Sequence, residues 1–271
     1  MRWLRDTMID ATARLLTRPR RQYQLLHPND VTNLRRAVRK GDVVLVDGAQ
    51  RISQAIKYLT QSSWSHAAIY VGDELLRRDP VRRQGLVDQY GIEAEHMVVE
   101  ALMEEGVVAS PLVKYMELNL RVCRPRGLRA DDLARILDEI VAQLGRRYDV
   151  QNVLDLARYF FPVSLIPRRL RRTALAGGGP LTTDVICSSM VGRAFQNVGF
   201  PILPSVEPAA GESLGWVDWL RRRKARYPAV FHRQRETLIT PRDFDLSPYF
   251  DVIKFNAVQV GQFDYRRIRW A

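Results

Sequence analysis

Cysteine and histidine are scarce in this chain, with two of the first and four of the second in 271 residues. The two cysteines, Cys123 and Cys187, stand far apart, form no Cys-x-x-Cys pair and have no histidine cluster beside them. That spacing argues against a disulfide framework and against a zinc site, so neither a metal nor another cofactor is expected. Long apolar runs are missing too. No stretch reaches the roughly 18 apolar residues of a spanning helix. In the opening segment Arg5, Asp6, Asp10 and Arg14 interrupt what would be the apolar core of a secretory signal, which makes a cytoplasmic protein the expectation. Lone cysteines in a reducing compartment are ordinarily inert packing residues.

Acidic residues are outnumbered, 30 against 42 lysines and arginines, and the formal net charge is +12. The excess is uneven. Residues 1–40 hold ten basic groups and three acidic ones, and further clusters are "RRLRR" at 168–172 and "RRRKAR" at 221–226. Such patches suit anionic surfaces. No recognisable nucleic-acid module accompanies them, which argues against nucleic acid as a partner. An anionic membrane surface fits better. Trp3, Leu4, Met8, Ala11, Leu15 and Leu16 recur at helical spacing within residues 1–26, and "YFFPVSLIP" runs into "RRLRR", both patterns of an interfacial helix or wedge. The alternative is that these stripes pack on the body while the arginines face water.

The organisation expected from these patterns is a basic amphipathic helical extension over 1–40 and one body over 41–271. "DVTNLRRAVRKGD" is a short helix capped by Asp30, "GDVVLVDG" a strand, and "QRISQAIKYLT" a helix with Ile52, Ile56 and Leu59 on one face. Residues 67–71 form an apolar strand closed by Gly72-Asp73. The polar stretch after it, 73–95, reads as a surface insertion or hairpin. "HMVVEAL", "EGVVASPLVKY" and "LNLRVCRPRG" supply further strands, and "RADDLARILDEIVAQLG" and "DVICSSMVGRAFQNVGF" supply helices ended by Gly145 and Gly199. Strands in the middle with helices on both sides argue an α+β fold, an antiparallel sheet packed on helices.

The chemistry-bearing residues start with His66, at the mouth of a buried strand in "SSWSHAAIYVGD". Alternation puts it on one face with Ala68 and Tyr70. Glu100, inside "VVEAL", shares a face with Val98, and a carboxylate there needs a cationic or donor partner unless the strand end is exposed. If the two strands are neighbours, Glu100 can orient the imidazole. Cys187 falls in the first turn of a helix capped by Thr183 or Asp184, where unpaired N–H groups and the helix dipole favour a thiolate. The same N–H groups could serve as an oxyanion hole. A cysteine on an apolar helix is more often core. Ser188 and Ser189 are alternative nucleophiles, but no Gly-x-Ser-x-Gly elbow surrounds them. Cys123 alternates with Arg121, which leaves its burial open, and is expected to be a packing residue.

Taken in order, "GDVVLVDG", "SWSHAAIYVGD", "MVVEAL..EGVVASPLVKY", "GRRYDV" and "DVICSSMVGRAFQNVG" resemble the circularly permuted, NlpC-type papain-like cysteine hydrolases of the YiiX-like branch, over about residues 41–256. In that branch the histidine strand precedes the cysteine helix, as it does here. The resemblance implies a permuted papain-like fold with Cys187 as nucleophile, His66 as base and Glu100 as the third member of a triad. It also implies that Tyr148 lines the site, and Tyr70, Ser65 and Ser188 join it as candidate substrate contacts. The reaction implied is cleavage of an amide, thioester or ester through an acyl-thioester, on a peptide, amide or acyl substrate. The absence of cell-wall-binding repeats makes peptidoglycan a poor fit. Lecithin–retinol acyltransferase relatives share the permutation but carry "Asn-Cys-Glu-His" at the nucleophile, where this chain has "Ile-Cys-Ser-Ser". A thiol acyltransferase therefore stays as the alternative enzyme, and a non-catalytic basic membrane or nucleic-acid binding protein as the alternative of another class.

Overall fold

The computed structural model of the chain describes residues 23–26, 28–78, 80–102, 105–146, 186–208, 229–234 and 239–255. In chain order its elements are α1 (Val31–Ala37), β1 (Val43–Asp47), α2 (Arg51–Thr60), β2 (His66–Gly72), α3 (Glu74–Arg78), α4 (Pro80–Tyr90), β3 (Met97–Leu102), β4 (Gly106–Pro111), β5 (Asn119–Pro125), α5 (Ala130–Ala142), α6 (Ile186–Asn197), β6 (Ser205–Pro208), β7 (Ala229–His232), α7 (Pro241–Leu246) and β8 (Phe250–Ile253). Six strands make one antiparallel sheet in the order β4-β3-β2-β1-β5-β8, and β6 pairs with β7 apart from it. The α+β architecture read from the sequence is the one observed.

The sheet is covered on both faces, which explains why "VVLV" of β1 is apolar at every position rather than at alternate ones. On one face Val43, Leu45, Ala67, Ile69, Val99, Ala101 and Cys123 pack under α5 and α6 through Ile136, Ile140, Val191, Ala194 and Phe195. On the other, Val44, Val46, Ala68, Tyr70, Val98 and Val122 meet Leu34 of α1 together with Leu112 and Tyr115. Leu34 and Phe195 are fully buried. At roughly 1.5–3 kcal/mol for each such side chain, these two layers carry most of what holds the sheet between its helices. Asp30 caps α1 as expected, its carboxylate accepting from Asn33 N–H at 2.9 Å.

Two local expectations need correcting. Of the two readings of the charged stretch after β2, surface insertion or hairpin, the hairpin is not what forms. The stretch forms α3, α4 and a 3-10 turn, Gly91–Glu95. Pro80 occupies the first position of α4, where its missing N–H costs nothing. Glu74 pairs with Arg78 one turn on at 2.8 Å and with Lys40 at 2.6 Å, while Leu75 and Ala94 are buried and tie the excursion to the body. The second correction is that residues 23–26, expected to close an N-terminal helix, have no regular structure. Tyr23 instead bridges the ends of two strands, its hydroxyl donating to Asp47 C=O at 3.0 Å and accepting from Asn119 N–H at 2.7 Å. The rest of that expected helix, the "YFFPVSLIP"–"RRLRR" segment, the 221–226 cluster and Tyr148 lie outside the described residues. Among the described residues no helix is long and apolar enough to cross a membrane.

Candidate active site

His66 is the first residue of β2, and that position answers why an imidazole stands at the mouth of a buried strand. Pairing of Ile69 with Val99 and Tyr70 with Val98 makes β2 and β3 antiparallel neighbours. Continued one step, the register sets Glu100 across from Ala68, on the diagonal from His66 and on the same face, within reach of a long side chain. Nε2 of His66 lies 2.8 Å from Glu100 Oε2. Cys187 comes from the opposite layer, on the second residue of α6. Because His66 is at the strand's end, its ring can meet both layers at once, interacting electrostatically with the Cys187 sulfur while it hydrogen-bonds to the carboxylate. With Nε2 held by Glu100, Nδ1 is the nitrogen left for the thiol.

Glu100 is fully buried, and an isolated carboxylate there would cost several kcal/mol. It is not isolated. Besides His66 it accepts from Lys114 Nζ at 2.8 Å on Oε1 and from the Tyr115 hydroxyl on Oε2. Lys114 and Tyr115 belong to a 3-10 turn, Leu112–Tyr115, directly after β4. The demand of Glu100 for a partner was readable in "VVEAL", whereas the identity of these two was not. Burial alone would raise the pKa of Glu100, but His66 and Lys114 outweigh it and hold the carboxyl well below its ordinary range. Burial and the adjacent carboxylate push the Tyr115 hydroxyl far above its ordinary value, so it stays a donor.

The thiol and imidazole shift each other. Burial opposes charge on Cys187, yet the His66 ring and the N–H groups of Ala67 and Ser188 lower its pKa. Burial likewise opposes charge on His66, yet the sulfur and Glu100 raise its pKa. The direction of both shifts favours a thiolate–imidazolium pair at neutral pH. Ser188 N–H lies in the first turn of α6, so the expected helix-start effect on the sulfur is present. Cys123 is the contrast. It is fully buried in β5, and burial, followed by Asp245, pushes its thiol up to about 12.

Three residues expected to contact substrate occupy supporting positions instead. Ser65 is buried, its Oγ accepting from Gly48 N–H at 2.9 Å and donating to Val46 C=O at 3.4 Å. This close fit needs glycine at position 48, where a Cβ would fall 2.9 Å from Ser65 Oγ and 2.3 Å from Ser53 Oγ. Tyr70 is buried under α1, with its hydroxyl 2.9 Å from His96 Nδ1. Alternation put it on the face of His66 correctly, but that face is filled by Leu34 and Val98 two residues along. Ser188 is fully buried and donates to Ile239 C=O at 2.7 Å, anchoring the cysteine end of α6 rather than offering a nucleophile. Trp64, two residues before His66, gained no role from the sequence. Its Nε1 donates to Asp245 Oδ2 at 3.0 Å, and Arg121 stacks on its ring at 5.0 Å while pairing with the same carboxylate, which seats the loop leading into β2.

Residues 37–161 match the family described as permuted papain-like amidase enzymes, YaeF/YiiX, the C92 family. The match spans a little under half of the chain, and that stretch is similar to a permuted papain-like amidase. The matched stretch includes His66, Glu100, Lys114 and Tyr115 and ends ahead of Cys187. No curated protein gives a significant match. Five chains among solved structures match. One is the crystal structure described as metalloprotein yiiX from Escherichia coli O157:H7, 16% identical, covering 81% of this chain and 98% of that chain at a TM-score of 0.44. Among the described residues here, no group of three or more His, Cys, Asp or Glu side chains could hold a metal ion.

Proposed function

We propose that this chain is a permuted papain-like enzyme that cleaves an amide bond by nucleophilic catalysis, with Cys187 as nucleophile, His66 as proton carrier and Glu100 as its orienting carboxylate. The observation that carries the reading is the His66–Glu100 contact, at 2.8 Å from Nε2, with Cys187 near enough to the same imidazole for the two to shift each other's ionisation. The thiolate attacks the carbonyl carbon, and the first-turn N–H groups of α6 supply donors for the developing oxyanion. The C–N bond then breaks as His66 passes its proton to the nitrogen, releasing an amine and leaving an acyl-thioester on Cys187. Water attacks that thioester as neutral His66 takes its proton. The C–S bond breaks, and a carboxylic acid leaves while the thiolate–imidazolium pair returns.

The same thioester would pass its acyl group to an amine or alcohol if such an acceptor outcompeted water. Mass spectrometry of acid-quenched reactions tests the scheme. Wild-type protein mixed with an activated acyl amide or ester is expected to gain the mass of one acyl group at Cys187, and added amine is expected to yield acyl-amine product only if the enzyme is a transferase. An acyl adduct elsewhere, with Cys187 unmodified, would contradict the assignment.

A further inference from the structure

Orienting an imidazole takes one carboxylate oxygen, and in this site the other oxygen is also claimed. Oε2 of Glu100 serves His66 Nε2 and the Tyr115 hydroxyl, while Oε1 accepts from Lys114 Nζ at 2.8 Å. Lys114 is anchored by little else. Its ammonium lies 3.5 Å from Ser110 Oγ, its side chain is 39% exposed, and its Nζ lies 5.5 Å from the Tyr115 ring centroid. The charged and titratable groups around His66 thus come from three elements: Cys187 from α6, Glu100 from β3, and Tyr115 with Lys114 from the turn after β4. Tyr115 stays neutral, so Lys114 is the second cation on the carboxylate that faces the ring.

Resting on the roles proposed above, we propose that Lys114 is a positioning residue that shares the charge of Glu100 and so keeps the His66 imidazolium acidic enough to give up its proton. A carboxylate devoted to one imidazolium would hold the proton on the ring. Catalysis needs that proton to leave once in each cycle, to the departing nitrogen, and then needs the ring to stay neutral until water attacks the thioester. The second requirement is the sensitive one. While the sulfur is acylated it bears no charge, and Glu100 is then the one anion facing His66 among the described residues. An ammonium on the far oxygen weakens the hold of that anion on the proton, and its half-exposed position limits the effect to a shift of about one pH unit.

The experiment uses the full chain with Cys187 capped by iodoacetamide, which reproduces the uncharged sulfur of the acyl-enzyme, and follows the His66 ring nitrogens by 15N NMR against pH. Lys114→Met is expected to raise the His66 titration by about one unit, and Lys114→Arg, which keeps the charge, to leave it near the wild-type value. In turnover the methionine variant is expected to lose up to about tenfold in kcat near neutral pH, by protonating the base of deacylation, with its pH limb displaced upward and KM little changed. A purely structural lysine would lower the melting temperature and leave the titration in place, and that result overturns the proposal. A titration moved as far by arginine as by methionine overturns it too. Failure of Cys187 to be capped in the wild type would instead sink the nucleophile assignment, so the two failures are distinguishable.

Discussion

Cys187→Ala is expected to abolish turnover, by about three orders of magnitude or more, while Cys123→Ala keeps most of it. The two thiols differ in surroundings rather than in exposure, since both are buried. Cys123 sits in the middle of β5, paired across to Val43 and to Val252, with its pKa raised by burial. It is a small apolar side chain in effect, and trimming it to alanine costs about 1 kcal/mol of packing. Cys187 has an imidazole and two N–H donors on its sulfur. Hydrolysis of an amide or ester reporter, with thermal unfolding to show that both variants fold, separates the two cases. Equal loss from both substitutions would falsify the assignment.

His66→Ala is expected to cost about 10³-fold or more, because it removes the base that forms the thiolate and the acid that protonates the leaving nitrogen. Glu100→Gln is expected to cost less, about 10²-fold. A glutamine oxygen can still accept from Nε2–H, but its NH₂ end would then face the Lys114 ammonium, a donor against a donor. The lost charge also withdraws one of the two anions that keep His66 protonated beside the thiolate. Steady-state kinetics on the two variants reads this order directly. A Glu100→Gln enzyme slower than His66→Ala, with both folded, would mean that the carboxylate does more than orient the ring.

Periodicity made much of this legible. The alternation in "HAAIYVG" and "MVVEAL" put His66 and Glu100 on matching faces, and the costly carboxylate in an apolar strand pointed to a partner. The hairpin register is what the sequence did not reveal. Only the pairing of Met97 with Pro111 brings the turn after β4 back beside Glu100, so Lys114 and Tyr115 looked like the end of a strand. Tyr70 shows the same gap in reverse. Its face was readable, but not that α1 would cover it with Leu34. The helices after β2 were hidden because their polar composition carries no apolar stripe, and a few scattered side chains, Leu75, Leu86, Tyr90 and Ala94, secure them to the core.

Cys187 is expected to rest as a thiolate beside a protonated His66. The pH dependence of its alkylation by iodoacetamide tests that most directly, with the modified cysteine identified by peptide mass mapping. A lowered thiol pKa gives thiolate above it, and a raised His66 pKa keeps the imidazolium until the ring titrates. Rapid alkylation of Cys187 is therefore expected across neutral pH, with an acid limb below the ordinary cysteine value near 9, and an acid limb moved upward in His66→Ala. Cys123 should stay unlabelled in the folded protein throughout. Alkylation of Cys187 that rises only near pH 9, unaltered by His66→Ala, would contradict the thiolate–imidazolium pair.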